Sequence, residues 1–164
     1  MSSEDFVQRF GGVYEHSPWV AERAAAHLGK TMDYDQIAAL MADCVDNASR
    51  EAQLALIRAH PDLAGKAQLA SDLTAASSDE QQSAGLDRCT PEEYERFHVL
   101  NGQYRKKFGF PFVMAVRNRT RAEILKAFAA RLENDIELEF ENALVEIHKI
   151  ARMRLEALGL AGNE

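Results

Sequence analysis

Residues 90–109 have the sequence TPEEYERFHVLNGQYRKKFG, and this stretch decides the fold class. Thr90 is followed by a proline and, three positions later, by Glu93, which is the spacing of a capping box with proline at the first helical position. Aromatic and apolar residues then recur at helical spacing as far as Gly109, a residue type that commonly ends a helix. The stretch therefore predicts one long amphipathic helix.

The same signals recur along the rest of the chain. Further helix starts are predicted at Ser17-Pro18, Ser49, Thr120-x-x-Glu123 and Asn134. The helix from Asn134 should run to about Leu158, and Pro61 should end an earlier helix near His60. Residues 60–74 are expected to form a loop. No internal repeat or linker is visible, so the sequence predicts an all-α fold, a single-domain helical bundle over residues 1–164.

Composition and charge limit the classes of function that this chain can have. The chain has 164 residues, 46% of them hydrophobic, and a formal net charge of -7. That charge argues against a nucleic-acid partner, since phosphate backbones are bound by clustered Lys and Arg. Cys44 and Cys89 lack metal-ligand spacing, and no phosphate loop or dinucleotide fingerprint occurs, so neither a metal nor a cofactor is expected. With no leader and no apolar run of membrane length, we expect a cytoplasmic protein without a membrane partner.

One segment breaks the helical pattern. Residues 110–116, FPFVMAV, are apolar and resemble a β-strand in composition, yet the sequence offers no second strand for pairing. An apolar, non-helical segment inside a helical domain has to lie against other parts of the protein. We therefore expect it to form one wall of a pocket.

His60 is the first candidate for chemistry. It stands at a predicted helix end in the sequence HPDLAG, residues 60–65, and a histidine there can act as acid or base near neutral pH. The alternative is a residue that only completes the helix end, where its protonated form would favour the helix dipole.

The cluster SSDEQ, residues 77–81, is the second candidate. Ser77 and Glu80 have capping-box spacing, which by itself is a structural explanation. Both roles are compatible, because a helix start exposes backbone N–H groups that suit an oxyanion or a carboxylate. Glu80 would then be the acidic group and Gln81 an amide for hydrogen bonding.

Arg154 is the third candidate, because of the direction it faces. Apolar residues of the last helix form one stripe at about 100° per residue, consisting of Phe140, Leu144, Ile147, Ile150, Ala151 and Leu158. Arg154 falls within this stripe, whereas Arg152 points away from it. A buried charge needs a partner or a polar cavity. The alternative is an arginine that reaches solvent at the helix C-terminus.

Four motifs, taken together and in order, resemble the OHCU decarboxylase family. They are HPDLAG (residues 60–65), SxxEQxxAGL (77–86), LNxxYxxKFGFPFV (100–113) and KIxxxRL (149–155). They span about residues 60 to 155, and the HPDLAG and FGFPFV blocks are specific in combination. Residues before about 50 match in helical character more than in sequence. The peroxisomal tripeptide of many eukaryotic members is missing at the C-terminus, which favours a bacterial-type cytosolic enzyme.

The resemblance implies a function and a set of site residues. The family is all-helical and cofactor-free, is commonly dimeric, and decarboxylates 2-oxo-4-hydroxy-4-carboxy-5-ureidoimidazoline to (S)-allantoin in urate breakdown. Its catalytic residues correspond to His60, Glu80 and Arg154. Its substrate-contacting residues correspond to Pro61, Ser77, Gln81, Phe112, Val113, Met114 and Ala115. We therefore expect a homodimeric carboxy-lyase whose partner is the small ureidoimidazoline substrate.

Overall fold

A computed structural model describes residues 2–29, 32–65 and 73–161, with side chains up to Gly159. The α-helices within these ranges are α1 (Ser3–Phe10), α2 (Trp19–Ala25), α3 (Tyr34–Asp46), α4 (Arg50–Arg58), α5 (Ala75–Ser83), α6 (Pro91–Phe108), α7 (Arg121–Arg131) and α8 (Ile136–Ala161). A short 3₁₀ helix, Leu86–Arg88, follows α5. The described ranges contain no β-strand, so the all-α prediction is confirmed. None of the described helices is long and apolar enough to cross a membrane.

The chain divides into two compact units. The terminal unit comprises Met1–Ala59 together with Ile147–Glu164, and the central unit comprises His60–Glu146. Helix α8 contributes its first part to the central unit and its second part to the terminal unit. The expectation of one domain over residues 1–164 stays a prediction.

The terminal unit has an apolar core supplied by α1 to α4. Phe6 and Phe10 are buried on one face of α1, with ring centroids 4.9 Å apart. The predicted cap at Ser49 is confirmed, since its side chain accepts a hydrogen bond from the N–H of Ala52. The predicted cap at Ser17 is wrong, because its hydroxyl donates to the carbonyl of Glu15 and α2 begins two residues later.

The central unit has an aromatic core around α6 and α7. Tyr104 of α6 contacts the rings of Phe108, Phe110, Phe112 and Phe128. The capping boxes at Thr90 and Thr120 are confirmed. Gly109 ends α6 with a φ of 79°, in the left-handed region that favours glycine. The chain then continues into residues 110–116, which are non-helical, as predicted, and largely buried.

Two predicted helix starts in the central unit need correction. Helix α8 begins at Ile136, because the side chain of Asp135, and not of Asn134, accepts from the N–H of Leu138 at 2.8 Å. Helix α5 begins at Ala75, because the hydroxyl of Thr74 accepts from the N–H of Ser77 at 3.2 Å. Ser77 therefore lies inside the first turn and is not the cap.

The predicted helix end near His60 is confirmed, since α4 ends at Arg58. The predicted loop over residues 60–74 is non-helical over residues 60–65, and residues 66–72 lie outside the described residues.

Candidate functional site

The predicted polar site residues of the central unit are buried. His60, Ser77, Glu80 and Gln81 have relative exposures of 6%, 4%, 8% and 2%. Histidine, glutamate and glutamine are seldom this well buried in soluble proteins unless a partner or a function requires it. Pro61, which follows His60 in the sequence, is half-buried. The burial excludes a solvated helix end for His60.

Gln81 fastens the loop of residues 60–65 to helix α5. Its side-chain oxygen accepts from the N–H of Ala64 at 3.0 Å, and its side-chain nitrogen donates to the carbonyl of Asp62 at 3.3 Å. Ala64 has a φ of 51°, in the left-handed region that costs a non-glycine residue about 1 kcal/mol or more. The helix that carries Glu80 thus holds the loop that carries His60 in a strained conformation.

Helix α6 holds the same loop from another direction. The amide nitrogen of Asn101 donates to the carbonyl of Leu63 at 3.0 Å. Arg105 forms an ion pair with Asp62, with nitrogen–oxygen distances of 2.9 and 3.0 Å. Because two helices fix consecutive residues of the loop, the backbone that presents His60 and Pro61 has little freedom. This kind of rigid support is what a residue that transfers protons needs.

A groove of about 690 Å³ borders this loop. Its lining includes Pro61, Asp62, Ala64 and Gly65 of the loop, together with one face of α6. Pro61 is the one predicted site residue in that lining.

The non-helical segment 112–115 is also buried, apart from the half-exposed Met114. Its carbonyl at Val113 accepts from Nη1 of Arg131 at 2.7 Å. Its N–H at Ala115 donates to the Glu146 carboxylate at 3.1 Å. Among the described residues, no hydrogen bond engages the N–H groups of Val113 and Met114.

A network that the sequence analysis missed lies behind this segment. Glu139 is completely buried, and its two oxygens accept four hydrogen bonds of 2.6 to 2.9 Å. The donors are Tyr104, Arg131, Asn134 and Asn142. Burial raises the pKa of Glu139, but these hydrogen bonds and the Arg131 charge together lower the pKa below its ordinary value of 4.5.

A signal for Glu139 was present in the sequence. It lies eight and eleven residues before Ile147 and Ile150, which places it on the same stripe of α8 as Arg154. Like Arg154, Glu139 is a charged residue among the apolar positions of this helix.

Arg154 lies in the terminal unit and is 8% exposed. Its Nη2 is 3.5 Å from a carboxylate oxygen of Glu15, and its Nη1 is 3.5 Å from the carbonyl of Val13. Arg152 is more exposed and pairs with Asp35 and with Glu156. The predicted difference in direction between the two arginines is confirmed.

The loop that contacts Arg154 has a second attachment to α8. Tyr14 lies between Val13 and Glu15, and its hydroxyl is 2.7 Å from Nδ1 of His148. Nε2 of the same histidine is 3.1 Å from the carboxylate of Asp46. Glu15 is 2% exposed, and no periodic pattern in the sequence points to it because it lies outside a helix.

The predicted site residues are divided between the two units. Arg154 belongs to the terminal unit, and the other predicted site residues belong to the central unit. Within the described residues, no group of three or more His, Cys, Asp or Glu side chains could hold a metal ion.

Comparison with known proteins identifies the family of this chain. Residues 1–156 match the family described as OHCU decarboxylase. A relative from Haloferax volcanii, named 2-oxo-4-hydroxy-4-carboxy-5-ureidoimidazoline decarboxylase, is 44% identical over 94% of this chain and 89% of its own length. A uric acid degradation bifunctional protein of Bacillus subtilis is 43% identical over 94% of this chain and 30% of its own length.

Solved structures show the same similarity. The crystal structure of (S)-allantoin synthase superposes with a TM-score of 0.77 at 36% identity, covering 96% of this chain and 51% of that one. This chain thus spans about half of that protein. A crystal structure of OHCU decarboxylase in the presence of (S)-allantoin has a TM-score of 0.72 at 25% identity, covering 89% of this chain and 94% of that one.

The helical fold and the names of the relatives define a class, the all-α decarboxylases. Within that class, this chain belongs to the OHCU decarboxylase family. The family and the decarboxylase activity predicted from the four motifs are confirmed.

Proposed function

We propose that this chain decarboxylates 2-oxo-4-hydroxy-4-carboxy-5-ureidoimidazoline to (S)-allantoin in urate degradation, using His60, Glu80 and Arg154. The reaction follows from family membership and from the names of the relatives, which cover most of the chain. The roles of the residues, the stereochemistry and the independence from cofactors are our proposal.

The substrate can accept the electrons that decarboxylation releases. When the bond between carbon and carboxylate breaks, CO2 leaves and the electron pair enters the adjacent ring C=N, whose nitrogen takes up a proton. Many decarboxylases use a pyridoxal or thiamin cofactor to accept these electrons. Because the ring performs the same task, the protein needs only to bind the ring and to move protons.

Proton transfers complete the reaction. The enol formed by loss of CO2 must lose the proton on its hydroxyl and gain one on carbon. We assign these transfers to His60 and Glu80, which are buried and belong to a loop and a helix joined by Gln81. A proton delivered from one face of the ring would give a single enantiomer of allantoin.

Arg154 has a different task in this scheme. A bidentate clamp on the departing carboxylate would stabilise the ground state and slow the loss of CO2. We therefore propose that its guanidinium stabilises the negative charge that develops on ring or ureido oxygens. Its alternative role, which the structure also supports, is to neutralise the buried carboxylate of Glu15.

The segment 112–115, together with Pro61, Ser77 and Gln81, is proposed to bind the flat ring. The N–H groups of Val113 and Met114 are suited to the carbonyl oxygens at the edge of the ring. Backbone donors on a rigid segment fix an orientation without the entropy cost of ordering a long side chain.

One observation carries the proposal, the burial of His60, Ser77, Glu80 and Gln81 around a loop and helix fastened to each other. The test is to mix the protein with freshly generated substrate and to follow CO2 release and the circular dichroism of the product. We expect rapid formation of one enantiomer. A helical ligand-binding module, the alternative class, would leave the slow and racemic spontaneous reaction unchanged.

We further propose that the protein is a cytoplasmic homodimer that binds neither nucleic acid nor membranes. Support comes from the net charge of -7 and from the motifs shared with a family that is commonly dimeric. Light scattering coupled to size-exclusion chromatography measures the mass directly. A mass near 18.3 kDa, that of one chain, would contradict the dimer.

A further inference from the structure

A side chain from outside the segment 112–115 contacts the segment and holds its backbone in place. Arg131 ends helix α7, and its Nη1 donates to the carbonyl of Val113 at 2.7 Å. The same guanidinium lies over the ring of Phe112, with its carbon 4.4 Å from the ring centroid. Arg131 thus contacts two consecutive residues of the segment, one through the backbone and one through the ring.

Arg131 is in turn held by Glu139. Its Nε donates to the glutamate at 2.8 Å, and the hydroxyl of Tyr104 donates to the same oxygen at 2.6 Å. The phenol is a neutral donor, because burial and then the hydrogen bond to Glu139 raise the pKa of Tyr104 far above its usual value. A planar guanidinium bonded at Nε and at Nη1 has a fixed orientation.

We infer that Glu139, acting through Arg131, positions the segment 112–115 for the substrate and is not merely a structural ion. This inference rests on the proposed function, in which that segment binds the ring. Its basis is geometric: the chain of short contacts runs from Glu139 through Arg131 to Val113 and Phe112. Any tilt of the guanidinium would move the carbonyl of Val113 and with it the neighbouring N–H groups.

The substitution Arg131→Lys separates charge from geometry. Lysine keeps a positive charge beside Glu139, but its single nitrogen cannot reproduce the planar fork that meets Glu139 and Val113 together. We expect the dissociation constant for (S)-allantoin and the KM for the substrate to rise about tenfold, because a misplaced binding segment loses orientation. The value of kcat should change less.

Helix α7 offers a matched control at its other end. Arg121 is the first residue of α7, pairs with Glu93 at 3.0 Å and donates to the carbonyl of Gly85 at 3.2 Å. It therefore has the same kinds of partner, a glutamate and a backbone carbonyl, but does not contact residues 112–115. Arg121→Lys should leave the dissociation constant and KM within about twofold of wild type.

A double-mutant cycle tests whether Glu139 acts through Arg131. Glu139→Gln should also raise the dissociation constant for (S)-allantoin, and in the Arg131→Lys background it should add little. Tyr104→Phe removes one hydroxyl and keeps the ring, so it serves if the charge variants fail to fold. For this variant we expect a rise of about two- to threefold, because it removes only one of the four hydrogen bonds that hold Glu139.

The outcomes separate this inference from the proposed function. A wild-type protein that neither binds (S)-allantoin nor accelerates decarboxylation overturns both. An active wild type with unchanged dissociation constants in folded Arg131→Lys, or in Tyr104→Phe if only that folds, overturns the positioning role alone. Full additivity of Arg131→Lys and Glu139→Gln, or equal effects of Arg131→Lys and Arg121→Lys, overturns it as well.

Discussion

Two sets of polar side chains in the central unit have different surroundings. The first set, His60, Ser77, Glu80 and Gln81, lies on a loop and in the first turns of α5. The second set, Tyr104, Arg131 and Glu139, lies on three helices and is closed by hydrogen bonds of 2.6 to 2.8 Å within itself. The difference teaches that burial alone does not identify a catalytic group, because the first set includes the residue that holds a strained loop and the second set is bonded within itself.

This contrast predicts opposite effects of substitution. A group that transfers protons should affect turnover and leave folding largely intact, whereas a framework group should affect stability and binding. The terminal unit offers the same contrast on a single helix, between the buried Arg154 and the more exposed Arg152.

The largest effect is expected at His60. His60→Asn keeps a hydrogen-bonding side chain of similar reach but removes proton exchange near neutral pH. Turnover should fall by about a hundredfold or more, within the range for acid–base catalysts, and the unfolding temperature should change little. The measurement is the initial rate of CO2 release, with thermal unfolding as control. Full activity in this variant would mean that His60 only completes the helix end and transfers no proton.

The next effect is expected at Arg154. Arg154→Lys keeps the charge but loses the planar fork, so turnover should fall by about tenfold or more. Arg152→Lys makes the same chemical change on the same helix and should leave turnover almost unchanged, because its partners Asp35 and Glu156 are exposed. Both rates are measured at saturating substrate.

Equal losses at the two positions would contradict the assignment of Arg154. A large loss of stability with turnover preserved in the folded protein would make Arg154 the partner of Glu15 and nothing more.

A smaller effect concerns stability in acid. The pKa of Glu139 is lower in the folded state than the ordinary value of 4.5, so this carboxylate stabilises the fold above that pH. As the pH falls below 4.5, the unfolded chain binds a proton that the folded state resists, and the stabilisation is lost progressively until the pH reaches the lower pKa of the folded state. The free energy of unfolding should therefore drop more between about pH 6 and about pH 4 in wild type than in Glu139→Gln.

Chemical denaturation at the two pH values measures this difference. If the free energy of unfolding fell equally with pH in the two proteins, Glu139 would not contribute to the loss of stability in acid. This outcome would contradict its role as a charged framework residue.

The smallest effect is expected from metal removal. Neither cysteine has metal-ligand spacing, and the substrate supplies its own electron sink. Dialysis against a strong chelator should leave the rate unchanged. A loss of activity that added metal restores would overturn the scheme.

The sequence by itself determined those features that depend on neighbours in the chain. The capping boxes at Thr90 and Thr120 join residues three positions apart, so they form without a distant partner. The opposite directions of Arg152 and Arg154 follow from the helical period alone. The helix-end and capping-box patterns made His60 and Glu80 candidates, the family motifs implied the same two residues, and both are buried.

The tertiary structure decided everything that depends on distant partners. Gln81 bonds to residues 17 and 19 positions away, Tyr104 to a glutamate 35 positions away, and Arg154 to a carboxylate 139 positions away. A buried charge always requires a partner, but which partner it finds depends on the packing of elements that the local sequence does not specify.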